Sequence, residues 1–218
     1  MIQFSKVYTV LLAAHGPQRW WPADEPFEIM VGALLVQRTT WQNASAALDR
    51  LKEKGLLRPE RLRRARLGLV EQCIKGAGFF QTKAARLKKL ARFVDERGGI
   101  DGLATSETTA LRELLLGVEG VGPETADAIL LYAFERPAVV VDAYLRRLSQ
   151  RLTAAAEAPE DSRLRTWVAG AIGDAGHLNE FHALVVAHGK AVCRPVPRCP
   201  ECRISRLCRT GRDASSAV

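Results

Sequence analysis

Four of the five cysteines in this 218-residue chain, Cys193, Cys199, Cys202 and Cys208, fall within sixteen positions at the spacing C-x5-C-x2-C-x5-C. Four thiolates converging on one point suit a tetrahedral zinc ion or a cubane iron–sulfur cluster, and the number of thiolates does not choose between them. The segment is also strongly basic. From Lys190 to Arg212 it carries Lys190, Arg194, Arg198, Arg203, Arg206, Arg209 and Arg212 against a single acid, Glu201. A metal-stapled loop with this charge reads as a surface for phosphates. Cys73 stands apart at the end of an apolar stretch and reads as core.

A second chemical signal lies at Leu116–Ala133, LGVEGVGPETADAILLYA. Gly120, Val121 and Gly122 form a tight turn between two helical patterns, and Pro123 suits the first helical position. Amides at such a helix start favour an anion, and glycine lets a ligand approach the backbone closely. Nine residues past Ala133, the run Val139-Val140-Val141 ends at Asp142, ahead of a basic helical stretch, Ala143–Leu152. Taken alone, Asp142 reads as the N-cap of that helix.

The elements that must position these residues read as helix after helix. Phe27–Val36 is apolar nearly all round, as in a helix buried on every side. Lys83–Val94 sets Ala84, Leu87, Leu90 and Val94 at helical spacing, and Phe4, Val7, Leu11 and Leu12 share one side of an N-terminal helix. Three further helices are expected at Glu107–Leu116 after Thr105-Ser106, at Arg163–Ile172 after Ser162, and at Glu180–His188 between Asn179 and Gly189. Only Ala138–Val141 looks β-like, and it reads equally as an extended connector. The chain carries 32 Lys and Arg against 24 Asp and Glu, a formal net charge of +8, which favours a polyanionic partner. A 47% hydrophobic composition excludes wholesale disorder. The longest smooth apolar run, Ile29–Val36, falls well short of the roughly 20 residues that cross a bilayer. The expected setting is cytoplasmic, nucleoid-associated in a prokaryote, where cysteines serve metals rather than disulfides.

Helix–hairpin–helix, then VVDAY, then four C-terminal cysteines is an order that resembles the endonuclease III-like DNA glycosylases. Phe27–Asn43 (FEIMVGALLVQRTTWQN) resembles that family's helix leading into a glutamine-bearing loop. Ile74–Ala84 (IKGAGFFQTKA) resembles its I-K-x-x-G-x-x-x-x-K-A segment. The resemblance covers nearly the whole chain. It implies an all-α, two-lobed helix–hairpin–helix glycosylase fold: a six-helix barrel over 25–136, and an iron–sulfur domain made of 1–24 and 137–210, with 211–218 a flexible tail. It implies a [4Fe–4S] cluster on the four cysteines, zinc being the alternative. The partner would be double-stranded DNA with a damaged base, lying across the cleft between the lobes and bound by a monomer. Gly120, Val121, Gly122 and Thr125 would hold a backbone phosphate, Gln37 and Arg38 would fill the space left by a flipped nucleotide, and Asp142 would face its sugar. Lys190 is a further phosphate contact.

One departure from the endonuclease III pattern carries chemical weight. The bifunctional enzymes hold a lysine after G-V-G-x that attacks the sugar through a Schiff base, and Glu124 stands at that position here. A carboxylate cannot form a Schiff base. The hairpin instead resembles the 3-methyladenine branch, as do Trp20-Trp21-Pro22 and Trp41. An N3-methylated purine is cationic and a good leaving group, and aromatic faces attract it. Trp20 and Trp41 are the stacking pair, with Trp21 and Tyr144 also in the base pocket. The expected activity is a monofunctional glycosylase for an alkylated purine. Two other readings stay open: a glycosylase for oxidised pyrimidines or mismatched thymine, and a non-catalytic iron–sulfur protein that binds DNA or senses redox state.

Overall fold

Every regular element among the described residues is a helix, because the apolar residues recur at helical spacing throughout. The structure, a computed structural model, describes residues 2–216. Its helices are α1 (Phe4–His15), α2 (Pro26–Leu35), α3 (Trp41–Glu53), α4 (Pro59–Arg64), α5 (Leu67–Ile74), α6 (Phe80–Asp95), α7 (Gly99–Ala104), α8 (Thr108–Leu116), α9 (Pro123–Ala133), α10 (Ala143–Thr153), α11 (Asp161–Ile172), α12 (Ala175–Ala191) and α13 (Arg209–Ser216). They fall into two compact units, one of 23–136 and one made of 1–22 with 137–218. No helix among the described residues is long and apolar enough to cross a membrane.

In the unit of 23–136, α2 is the central element. Phe27, Met30, Val31, Ala33, Leu34 and Leu35 are all buried, as its uniformly apolar sequence requires. It packs on α3, α6 and α9. Its C-terminal end is held by Lys83, which is 4% exposed. The Lys83 ammonium donates to the carbonyls of Leu35, Gln37 and Ala77, each at 2.8 Å. Helix ends leave carbonyls without partners, and one buried cation answers three of them here. Burial pulls the Lys83 pKa below the ordinary lysine value. Replacing Lys83 by Met should therefore lower stability by about 3 kcal/mol, because buried carbonyls stay desolvated without a donor. A urea-denaturation midpoint within error of the parent would refute this role.

In the other unit, α1 packs on α11 and α12 through Phe4, Val7 and Leu11, while α10 packs on α12 and α13. The run Ala138–Val141 is extended chain, not a strand. It is buried throughout, so its hydrophobicity comes from passing through the interior rather than from pairing with a sheet. Three expected caps differ. Thr105 closes α7 by donating to the Gly102 carbonyl at 2.8 Å, and α8 starts from Glu107 with no side-chain cap. Helix α11 starts at Asp161, with Glu160 at its N-cap. Helix α12 starts after Asp174, whose carboxylate accepts from the His177 amide at 2.9 Å, so Asn179 and Gly189 lie inside it. Where a flexible tail was expected over 211–218, residues through Ser216 are helical in α13, and residues 217 and 218 lie outside the described residues.

Candidate functional site

The hairpin between α8 and α9 is built on two glycines with different tasks. Gly120 has φ +92°, a left-handed conformation that side chains resist. A Cβ there would also lie 2.4 Å from Cδ of Arg86, which packs against the turn. Gly122 is the N-cap of α9 and Pro123 follows at the first helical position. Gly122 brings no capping side chain to the first turn of α9, and a helix start of this kind favours an anion. Glu124 is exposed and Thr125 is buried.

Gln37 follows α2 and is tied to this hairpin. Its Nε2 donates to the Gly120 carbonyl at 3.0 Å and to Thr125 Oγ1 at 2.9 Å. The expected space-filling glutamine thus also holds the hairpin in place. Arg38 beside it is exposed, at φ +55°. Because Lys83 bonds the carbonyls of both Gln37 and Ala77, the loop after α2 and the turn before α6 sit side by side. That turn presents Phe79, 64% exposed at φ +48°. One face of this unit therefore gathers a hairpin with helix-start amides, an exposed arginine and an exposed aromatic ring, which suits a nucleic-acid backbone and its bases.

Asp142 belongs to the other unit, where it is 7% exposed. It caps α10, with Oδ1 accepting from the Leu145 amide at 2.8 Å. Its Oδ2 lies 3.6 Å from Nε2 of His182 on α12. Burial pushes the Asp142 pKa up, but His182 and the amides of Leu145 and Tyr144 outweigh it, and the net shift is downward. The result is a buried, ionised carboxylate, suited to facing a developing positive charge.

Tyr144 is half-buried in the same unit. It packs so closely on Gly189 that a Cβ there would meet its Cδ1 at 2.3 Å, and the Arg147 guanidinium lies over its ring, 5.1 Å from the centroid. Lys190 is exposed. Trp20 and Trp21 are half-buried with ring centroids 5.2 Å apart. Their approach is set by Glu180, whose carboxylate accepts from the amides of Gln18 at 2.6 Å and Arg19 at 3.3 Å. Trp41, half-buried at the start of α3, belongs to the unit of 23–136.

Cys193, Cys199, Cys202 and Cys208 line one cavity, together with Leu148, Val192, Ile204, Arg151 and His188. Arg151 donates to Cys193 Sγ at 3.2 Å, and Arg147 donates to the Cys193 carbonyl at 2.8 Å. Burial pushes the Cys202 thiol up to about 11, so it is neutral at pH 7 unless a cation holds its sulfur. Among the described residues, no three His, Cys, Asp or Glu side chains stand ready to hold a single metal ion.

Four residues of these sites were not singled out from sequence: Lys83, Arg86 and Phe79 in one unit, and His182 in the other. Phe79 carried a legible signal, an aromatic directly after a glycine in a turn between helices. His182 carried none, since it lies 40 positions beyond Asp142 on a helix read only from its ends. Asp127, beside the hairpin, pairs with Arg112 at 2.6 Å and serves the local structure.

Residues 31–169 match the HhH-GPD superfamily base excision DNA repair proteins, and the chain belongs to that superfamily. A relative from Methanocaldococcus jannaschii, whose name assigns it to the DNA repair glycosylases, is 39% identical over 207 residues, covering 93% of this chain and 94% of that protein. The endonuclease III of Sulfolobus acidocaldarius is 28% identical over 185 residues, covering 84% of this chain and 81% of its own. Among solved structures, a trapped endonuclease III–DNA covalent intermediate matches with a TM-score of 0.80 at 24% identity, over 99% of this chain and 100% of that one. The H. pylori 3-methyladenine DNA glycosylase bound to 1,N6-ethenoadenine matches with a TM-score of 0.76 at 24% identity, over 87% of this chain and 98% of that one. These two likenesses establish a shared fold.

Proposed function

We propose that this base excision repair glycosylase is monofunctional: it hydrolyses the N-glycosidic bond of a flipped, damaged base and leaves the DNA strand intact. The observation that carries the reading is Asp142, a buried carboxylate held below the usual carboxylate range at a helix start. As the bond to the base breaks, positive charge grows on the sugar, and a fixed anion is worth several kcal/mol there. A carboxylate with a lowered pKa is a weak base. Asp142 therefore acts by charge and by orienting the water whose oxygen bonds to C1′, with the released proton passing to solvent. The duplex would be gripped by the amides of the Gly120–Gly122 hairpin and by Arg38, with Gln37 and Phe79 entering the helical stack.

The preferred substrate in this reading is an alkylated purine such as 3-methyladenine. A base that already carries positive charge departs neutral without needing a proton, and no general acid is required. Aromatic faces attract such a ring, and half-buried Trp20, Trp21, Trp41 and Tyr144 are the candidates for it. The four cysteines line one cavity, which suits a [4Fe–4S] cluster, with zinc the alternative. Cys193, Cys199, Cys202 and Cys208 would hold the cluster. Its contribution would be to order the basic segment of Arg194, Arg198 and Arg203, since metal ligation supplies folding energy to short segments.

Duplexes carrying 3-methyladenine, 1,N6-ethenoadenine, thymine glycol or a mismatched thymine test the reading, scored for free base and for nicked strand. Free 3-methyladenine with no nick, and no covalent adduct on borohydride treatment, is expected because Glu124 stands in the hairpin. Release confined to thymine glycol or mismatched thymine would move the enzyme to the oxidised-base reading. A trapped adduct would refute monofunctional action.

A further inference from the structure

We propose that His182 is a positioning residue for the Asp142 carboxylate, acting on its Oδ2 oxygen. This inference rests on the glycosylase reading for its catalytic meaning, while the contact itself stands on geometry. The helix start holds the Asp142 carboxylate from one side, with Oδ1 meeting the Leu145 amide at 2.8 Å. The torsional wells about the Cβ–Cγ bond of a carboxylate are broad, so a partner on the other side narrows its orientation. The second oxygen, Oδ2, faces His182 Nε2 at 3.6 Å.

The helix α12 that carries His182 is itself firmly placed. Asp174 caps its start, its flanking residue Phe181 is buried against Phe4 in a T-shaped contact, and it packs on α10. His182 shares a small pocket with Val139, Val140, Leu145, Val168, Leu178 and Val185. Apolar walls screen poorly, so an imidazole dipole acts more strongly on the carboxylate here than it would in water. The distance of 3.6 Å is long for a hydrogen bond. Catalytic contacts are often long before substrate binds and shorten in the complex. His182 is thus placed to close on Oδ2 when the sugar arrives and to turn the carboxylate toward C1′.

The test compares His182→Ala with His182→Gln, whose amide can still donate to Oδ2. Single-turnover base release at saturating enzyme should fall about tenfold or more in H182A, because small misplacements at a reacting centre are costly. Duplex affinity should stay within about twofold. H182Q should recover most of the rate, and adding H182A to Asp142→Asn should cause no further loss, as expected for residues acting as one unit. In carboxyl-13C spectra, the Asp142 titration should move up toward the ordinary aspartate range in H182A. The sign follows from removal of a contact that favours the ionised form. Unchanged release in H182A would overturn the proposal, as would equal loss in H182A and H182Q, which would assign the effect to packing. If the parent protein releases no base from any duplex, the glycosylase reading fails, and the carboxyl titration still decides the contact: an upward move upholds it and no move overturns it.

Discussion

Asp142→Asn should reduce single-turnover base release by at least about a hundredfold while changing duplex affinity little, because a fixed anion facing the sugar acts mainly in the transition state. Fold stability should be largely retained at neutral pH. Asparagine caps a helix about as well as aspartate, so the bond to the Leu145 amide survives. The same carboxylate makes a pH prediction of definite sign. Its folded pKa is lowered from an unfolded value of 3.8, so its stabilising contribution is present above that value and lost as pH falls through the folded pKa. The parent and the Asn variant should therefore converge in stability in strong acid. Because the shift is downward, any acid limb of the rate that belongs to Asp142 lies below the ordinary aspartate range. Rates measured under single-turnover conditions, beside urea titrations across pH, check both parts. Full activity in the Asn variant would remove Asp142 from the mechanism.

The second large effect is expected at the hairpin. Gly120→Val should raise the Kd for duplex DNA by more than about tenfold, since the backbone must leave φ +92° to accept a branched side chain. The new Cβ would also be 2.4 Å from Arg86 Cδ, and the carbonyl that accepts from Gln37 would be displaced. The two faults act together on the face that presents the α9 amides. Stability should fall by about 2 kcal/mol, within the usual range for strain at a special backbone conformation. Fluorescence anisotropy on a fluorescein-labelled duplex reads the affinity and a urea midpoint reads the stability. Unaltered affinity in a variant of lowered stability would show that the hairpin is a structural turn only.

How far the sequence alone reached differs between the two sites. The hairpin was legible because its parts are local: two glycines, a proline at the first helical position and the helices on either side need no distant partner to be read. Asp142 was legible as a cap for the same reason, and as more than a cap only through the order of motifs around it. The four cysteines were legible from spacing. The four residues do line one cavity, but spacing could not reveal that burial raises the Cys202 thiol. The run Ala138–Val141 shows the opposite failure. Its composition fits a strand or a buried connector equally, and what decides is whether another strand lies beside it, which is a fact about the rest of the chain.

Sequence by itself determined that this protein is helical, that α2 is a buried central helix, and where the chain turns at Gly120, because helix period and glycine conformation are properties of neighbouring residues. The tertiary structure decided what those elements hold. It placed Lys83 under the carbonyls of Leu35, Gln37 and Ala77, tied Gln37 to the hairpin, and set His182 against the second oxygen of Asp142. Each of these joins residues 35 or more positions apart, apart from the Lys83 bond to Ala77. A hydrogen-bonding group shows its type in the sequence but not its partner, and burial makes the partner the part that matters.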